Sequence, residues 1–283
     1  MRNSFDRKEV QELYARMAPF YNGKDSFHEN LFYEKVESII KEIDMGDFIL
    51  DIGCGTGFPS QLLLSMGKKV IGIDISPELI FKAPKNMDYI LSDAQYLPFK
   101  DESFDSVVSI GGVLNHMPNY DLAFKEINRV LKKDGIFVFD VENKWNLELL
   151  WRLIGFYGIS LAKEAFLSLK PGPSIMTWQD FSYNVNHDKI NANKVKKFDK
   201  FDGIKIKQYY FTYNSMLKSL KENGFTLIKK YGINILTPLI PPNNYGNRSI
   251  EKLIGFLGRI DHSFLEKFLY RFGSSILFVC RKN

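Results

Sequence analysis

The chain has 283 residues, 45% of them hydrophobic and 25% charged, with a net charge of +5. At roughly 150 residues per domain this is one large domain or a domain with an insertion, and the composition excludes disordered, collagen-like and coiled-coil chains. The charge excess does not by itself mark a nucleic-acid binder, and the two cysteines, Cys54 and Cys280, are too few for a disulfide framework.

Residues 1–45 alternate polar and apolar at helical spacing, broken by Pro19 and Gly23. Leu31, Val36, Ile39, Ile40 and Ile43 predict a helix leading into the first strand. The first residues lack the apolar core of a signal peptide, and the longest greasy stretch, 149–162, is interrupted by Arg152 and falls short of the roughly 20 residues that span a bilayer. A cytoplasmic protein is expected.

From Phe48 onward short apolar strands, expected at 48–52, 69–74, 87–91, 104–110 and 136–142, alternate with helices such as 59–66 and 120–131. Nearly continuous apolar strands of this kind are covered by helices on both faces, which argues for an open, doubly wound parallel α/β sheet. After Glu142 the alternation pauses. A helical stretch rich in large apolar side chains is expected at 145–169, then the breaker Pro171-Gly172-Pro173, then strands near 177–186, 194–201 and 204–213. The last two are joined by Asp202-Gly203, a favoured hairpin turn. A helix at 213–223 closes at Gly224, a strand follows at 225–231, and two amphipathic helices (249–260, 263–272) precede a final strand at 275–280. The expected organisation is an N-terminal helical cap segment (1–45), an α/β core (46–142), an inserted α+β cap (143–212) and the core continued (213–283).

The informative segment is 50–57, LDIGCGTG, where the first strand turns into the first core helix. Gly53, Gly55 and Gly57 lack Cβ atoms, so the backbone turns sharply and touches a ligand closely, and the next helix offers N–H groups to an anion. The spacing is GxGxG rather than GxGxxG, since Phe58 stands where the dinucleotide fingerprint has glycine, and no Gly-Lys-Ser/Thr follows as in a P-loop. Asp74 ends the second strand 21 residues after Gly53, where an acid accepts hydrogen bonds from ribose hydroxyls or, alternatively, caps the next helix.

Taken together, LDIGCGTG, GIDISPELI (72–80), LSDAQYLPF (91–99), FDSVVSIGGVLNHM (104–117) and LAFKEINRVLKKDGIFVF (122–139) resemble the ordered motifs of class I S-adenosylmethionine-dependent methyltransferases of the type-11 group. The resemblance is dense over 47–140 and looser over 208–232 and 275–282. It implies a Rossmann-like sheet of seven strands, the last antiparallel, with S-adenosylmethionine as cofactor and S-adenosylhomocysteine as product. It also assigns roles. Asp51 and the three glycines hold the cofactor, Asp74 takes the ribose, and Ile75 and Leu79 flank the adenine. Asp93 accepts from the adenine amino group while the Ala94 N–H serves a ring nitrogen. Ile110 and Gly111 line the methionine side, and Asn115 and His116 face the transferred methyl. YARMAPFYN (14–22) resembles the segment before the core in ubiquinone/menaquinone-type enzymes, so Tyr14 and Tyr21 either close over the cofactor or pack a cap helix.

His116 is the leading base candidate, with His28 and Glu142 behind it; His187 and His262 read as surface or cap residues. No grouping has metal-ligand spacing, so no metal is expected. The Asn/Asp-Pro-Pro-Tyr tetrad of many amino-methylating enzymes is absent. The aromatic residues of 143–212, among them Trp145, Trp151, Phe166 and Trp178, suggest a small apolar or aromatic acceptor methylated at oxygen or carbon. Two alternatives stay open: an RNA or tRNA methyltransferase whose lysine-rich hairpin at 189–207 holds phosphates, and a non-catalytic module that binds S-adenosylmethionine.

Overall fold

The computed structural model describes residues 7–18, 27–154, 159–170, 172–179, 205–240, 248–261 and 266–283. Helices α1 (Arg7–Met17) and α2 (Phe27–Lys41) precede the core. Then follow β1 (Phe48–Ile52), α3 (Ser60–Ser65), β2 (Lys69–Asp74), α4 (Pro77–Lys82), β3 (Asp88–Leu91), β4 (Phe104–Ser109), a 3-10 turn (Val113–His116), α5 (Tyr120–Val130) and β5 (Leu131–Glu142). Beyond lie α6 (Glu148–Leu153), α7 (Ile159–Leu167), β6 (Ser174–Gln179), β7 (Lys205–Tyr210), α8 (Tyr213–Glu222), β8 (Phe225–Ile233), α9 (Arg248–Asp261), the single turn α10 (Glu266–Leu269) and β9 (Ser275–Lys282).

Seven strands form one sheet in the order β3-β2-β1-β4-β5-β9-β8. It is parallel from β3 through β5, and β9 runs antiparallel to both of its neighbours. This is the Rossmann-like methyltransferase sheet implied by the motifs. The central strands are apolar on both faces because each face carries a core. On one, Phe124 of α5 packs on Phe137 and Phe139, with Phe139 stacked on Phe278 at 5.2 Å. On the other, Val36, Ile39 and Ile40 of α2 cover Ile49, Val108 and Val138. The chain winds outward through β1, β2 and β3, then crosses back to β4. The ends of β1 and β4 therefore flank the switch point, the crevice where ligands bind in open α/β sheets.

Helix starts follow local chemistry. Ser76 Oγ accepts the Leu79 N–H at 3.3 Å ahead of Pro77, and Asn119 caps α5 through the Leu122 N–H at 3.2 Å. At α8, Thr212 and Ser215 bond reciprocally in a capping box.

Several expectations are corrected. The helical stretch at 145–169 is two helices. The strand expected at 177–186 begins earlier, at Ser174, and runs through Gln179 with 180–186 outside the described residues; its antiparallel partner is Lys205–Tyr210. The Asp202-Gly203 turn and 194–201 fall outside the described residues, as do Tyr21, His187 and His262. Of the helix expected over 263–272, residues 263–265 lie outside the described residues, Glu266–Leu269 is helical and Tyr270–Phe272 is a 3-10 turn. The backbone of Tyr270 presses on Gly232, where a Cβ would meet its Cα at 2.5 Å. No helix among the described residues is long and apolar enough to cross a membrane.

Candidate active site

At the switch point the glycine loop adopts left-handed backbone, with φ of 70° at Gly53, 51° at Gly55 and 105° at Gly57. The three glycines do different work. A Cβ on Gly53 would lie 2.5 Å from Val113, and one on Gly57 2.8 Å from Pro84, so both are fixed by protein packing. A Cβ on Gly55 would have its nearest neighbours 3.9 Å away, and one on Gly111 (φ 98°) would meet nothing within 4 Å. Those two glycines present bare backbone to open space, the arrangement that lets a ligand touch the main chain.

The loop separates two cavities that share Gly53, Gly55, Ile110 and Gly111 as a wall. The first has an empty volume of about 760 Å³, part of it open to solvent, running from Asp93 and Ala94 past Asp74, Ile75 and Leu79 to Tyr14 and His116. The second, about 1700 Å³ and also partly open, spreads over Thr56, Gly57 and Phe58 towards Tyr33 and Lys82.

Asp74 is buried at the mouth of β2. Its Oδ2 accepts the Gly55 N–H at 2.9 Å and its Oδ1 the Ser76 N–H at 2.8 Å, while burial pushes its pKa up. The side chain therefore pins the loop and offers its remaining lone pairs to the cavity. Asp93 follows β3, with Oδ1 accepting the Gln95 N–H at 2.9 Å and Oδ2 meeting Arg7 at 3.2 Å. The loop bearing Asp93 is tied down by Arg129, which donates to the carbonyls of Leu97 and Phe99, and by Glu126, which accepts the Leu97 N–H at 2.9 Å.

His116 ends the 3-10 turn. Its Nδ1 is buried and has no hydrogen-bond partner among the described residues, and its ring meets Tyr14 edge to face at 5.8 Å. Burial pushes the imidazole down to about 4, so it is neutral near pH 7. Helix α1 closes this end of the cavity: Gln11 donates to the Ile75 carbonyl at 2.9 Å, and Val10 and Tyr14 line the cleft.

The structure thus brings together Tyr14, Gly53, Gly55, Asp74, Ile75, Leu79, Asp93, Ala94, Ile110, Gly111 and His116 around one cavity. Three expected cofactor ligands stand elsewhere: Gly57 lines only the second cavity, and Asp51 and Asn115 line neither. Asp51 is fully buried behind the loop; Ser60 Oγ donates to its Oδ2, its Oδ1 has no partner among the described residues, and burial raises its pKa to about 7. Asn115 is turned away from the cleft. Its carboxamide accepts the Glu142 N–H at 3.1 Å and donates to the Tyr209 carbonyl at 2.6 Å, fastening the 3-10 turn to β5 and β7. An amide at that position is satisfied by backbone that only folding brings near. Arg7 and Asp140 lie outside the quoted motifs, and Gln95, inside LSDAQYLPF, carried no expected role; each reaches the site through a contact made by folding or by a short loop.

The pieces suit an adenosyl ligand. A carboxylate stands at the strand end for hydroxyls, Asp93 and Ala94 follow β3, apolar Ile75 and Leu79 line the same cavity, and bare glycine backbone faces it.

Residues 50–139 match the family model described as a methyltransferase domain. A protein of Methanocaldococcus jannaschii, described as uncharacterized protein MJ1252, is 31% identical over 277 residues, covering 96% of this chain and 90% of that one. The demethylmenaquinone methyltransferase of Lactobacillus johnsonii is 33% identical over 156 residues, 47% of this chain and 60% of the enzyme's own length. Among solved structures, the 1,6-didemethyltoxoflavin-N1-methyltransferase of Burkholderia thailandensis, which holds 1,6-didemethyltoxoflavin and S-adenosylhomocysteine, shares the fold with a TM-score of 0.54 at 12% identity, over 98% of this chain and 88% of that one.

Proposed function

The chain belongs to the class I S-adenosylmethionine-dependent methyltransferases of the type-11 group, and we propose that it methylates an oxygen or carbon of a small apolar or aromatic molecule. The observation that carries this reading is the far end of the first cavity. There Val10, Tyr14, Val113, Met117 and Pro118 make an apolar surround for one unsatisfied polar atom, Nδ1 of His116. Such a pocket favours a flat apolar body with one polar handle, since an unpaired buried imidazole nitrogen gains most from a single well-aimed partner.

When bound, S-adenosylmethionine supplies an electrophilic methyl group on a sulfonium sulfur. The chain then has to align, dehydrate and deprotonate. Asp74 holds the ribose hydroxyls, Ile75 and Leu79 sandwich the adenine, and Asp93 with the Ala94 N–H reads its edge. Gly55 and Gly111 let the reacting end lie against the backbone. Tyr14 and Val10 of α1 close over it and exclude water. His116 hydrogen-bonds the acceptor hydroxyl and takes its proton at a ring nitrogen as the new bond to carbon forms. Alignment of this kind is worth several kcal/mol, on the order of 7 or more in the best intramolecular cases.

The test is transfer of a radiolabelled methyl group to a panel of quinols, phenols and tRNA at low and high salt. The demethylmenaquinone methyltransferases among the relatives put quinols first on the panel. Label in an organic-soluble product supports the reading. Label only in tRNA, with activity falling steeply as salt rises, would overturn it in favour of phosphate recognition.

A further inference from the structure

Behind the turn that divides the two cavities lies Asp140, near the end of β5. It is only 2% exposed, and its Oδ1 accepts the Gly111 N–H at 2.6 Å and the Gly112 N–H at 3.2 Å. Both glycines have left-handed backbone, φ 98° and 68°, so the turn has the conformation that only a held, glycine-bearing chain adopts cheaply. No cation among the described residues pairs with Asp140. The methyl-transfer chemistry assigned above makes no use of it.

Among the other acids near the loop, Asp74 holds the Gly55 and Ser76 N–H groups and itself lines the first cavity, Asp51 is bonded by Ser60 behind the loop, and Asp93 has Arg7 and Gln95. Asp140 lines neither cavity and is hydrogen-bonded to Gly111, which walls both. A buried carboxylate without a counter-charge is costly, and the N–H groups of the turn with the Ser275 hydroxyl beside them repay only part of that cost. A positive charge arriving in front of Gly111 would repay more. Bound as proposed above, the methyl donor would bring one on its sulfonium and would lose it when the methyl leaves: S-adenosylhomocysteine is a neutral thioether at that atom.

We propose that Asp140 is a specificity-determining residue that favours the cationic cofactor over its neutral product, acting across the Gly111–Gly112 turn rather than by direct contact. Two consequences follow. Product affinity falls relative to cofactor affinity as soon as transfer is complete, which assists exchange. And the residue contributes through charge, separately from its part in holding the turn. The proposal rests on S-adenosylmethionine as the methyl donor and is indifferent to the acceptor.

The experiment is calorimetric titration at pH 8, where a carboxyl raised by burial to about 6 is ionised. The parent, Asp140→Asn and Asp140→Glu are each titrated with S-adenosylmethionine, S-adenosylhomocysteine and sinefungin, whose ammonium-bearing carbon replaces the sulfonium. Asp140→Asn keeps an acceptor oxygen for the turn but removes the charge. It should weaken the two cationic ligands about tenfold and the thioether less than twofold, as expected for one charge lost at short range in a partly dry site. Asp140→Glu keeps the charge and displaces the turn, so all three ligands should weaken together with the parent's preference retained. An equal loss for all three ligands in Asp140→Asn, or a preference lost in Asp140→Glu, would reduce Asp140 to a support for the turn. Binding of S-adenosylhomocysteine to the parent reports the cofactor reading separately from these ratios.

Discussion

The glycine loop and the segment beyond β5 are built by different rules. Around the glycine loop the bonds that set the acids are local, with Asp93 bonding Gln95 two residues on and Asp74 bonding Ser76 two residues on and Gly55 nineteen residues back, and helix α1 reaches in from afar through Arg7 and Gln11. Beyond β5 they span much of the chain. Asn115 reaches the carbonyl of Tyr209, and Trp151 Nε1 donates to the Pro238 carbonyl at 3.0 Å. Lys144, buried at the base of α6, gives its ammonium to the carbonyls of Lys170 and Gly172 and to Ser174 Oγ. Where a geometry is set by neighbours in sequence it leaves a motif; where it is set by folding it does not.

The sharpest way to break the glycine loop is at Gly53. Gly53→Ala combines a left-handed backbone with a Cβ 2.5 Å from Val113, and should weaken S-adenosylhomocysteine binding by about 3 kcal/mol. Calorimetry measures it; unchanged affinity would mean that the loop relaxes without cost. Asp74→Ala should cost about 2 kcal/mol of cofactor affinity by losing charge-assisted bonds and leaving the Gly55 and Ser76 N–H groups unpaired. If affinity holds in that variant, the ribose site is elsewhere.

The His116 end of the cleft should fail in the opposite pattern. His116→Ala should lower turnover by roughly a hundredfold or more, the usual range for a positioned proton acceptor beginning at about that figure, with cofactor affinity within about twofold of the parent. Full activity would leave His116 as packing for Tyr14. The pH dependence of its titration has a definite sign. Its folded pKa, about 4, lies below the unfolded value of 6.5, so the unfolded chain binds the extra proton and stability is lost as pH falls from about 6.5 towards 4.

Asp51 gives the smallest effect and the reverse sign. Its folded pKa of about 7 exceeds the unfolded 3.8, so its contribution is most favourable at low pH and is lost as pH rises from about 4 to 7. Asp51→Asn, which still accepts from Ser60, should therefore raise the unfolding free energy at pH 8 by about 1 kcal/mol, with the gain shrinking towards pH 5. Denaturant unfolding at the two pH values checks it; a loss at pH 8 would show that the charge is compensated.

Much of the fold was readable along the chain because a parallel sheet covered on both faces demands apolar strands, and apolar runs are visible in sequence. The GxGxG loop was readable for a related reason: left-handed backbone at Gly53, Gly55 and Gly57 admits few other residues. Asp74 and Ile75 stand at the end of β2 and Asp93 just past β3, where strand periodicity itself fixes their position, and Leu79 follows on α4. The amino-acid order thus determined the sheet, the loop and the adenosyl side of the cleft. Tertiary structure alone decided that Asn115 turns from the methyl towards β5 and β7, that Asp51 stands behind the loop, that β6 pairs with β7, and that Asp140 supports Gly111 from 29 residues away. The physical reason is one of range. Backbone conformation and burial are written in neighbouring side chains, whereas the partner of a buried polar group is whichever backbone the finished fold carries past it.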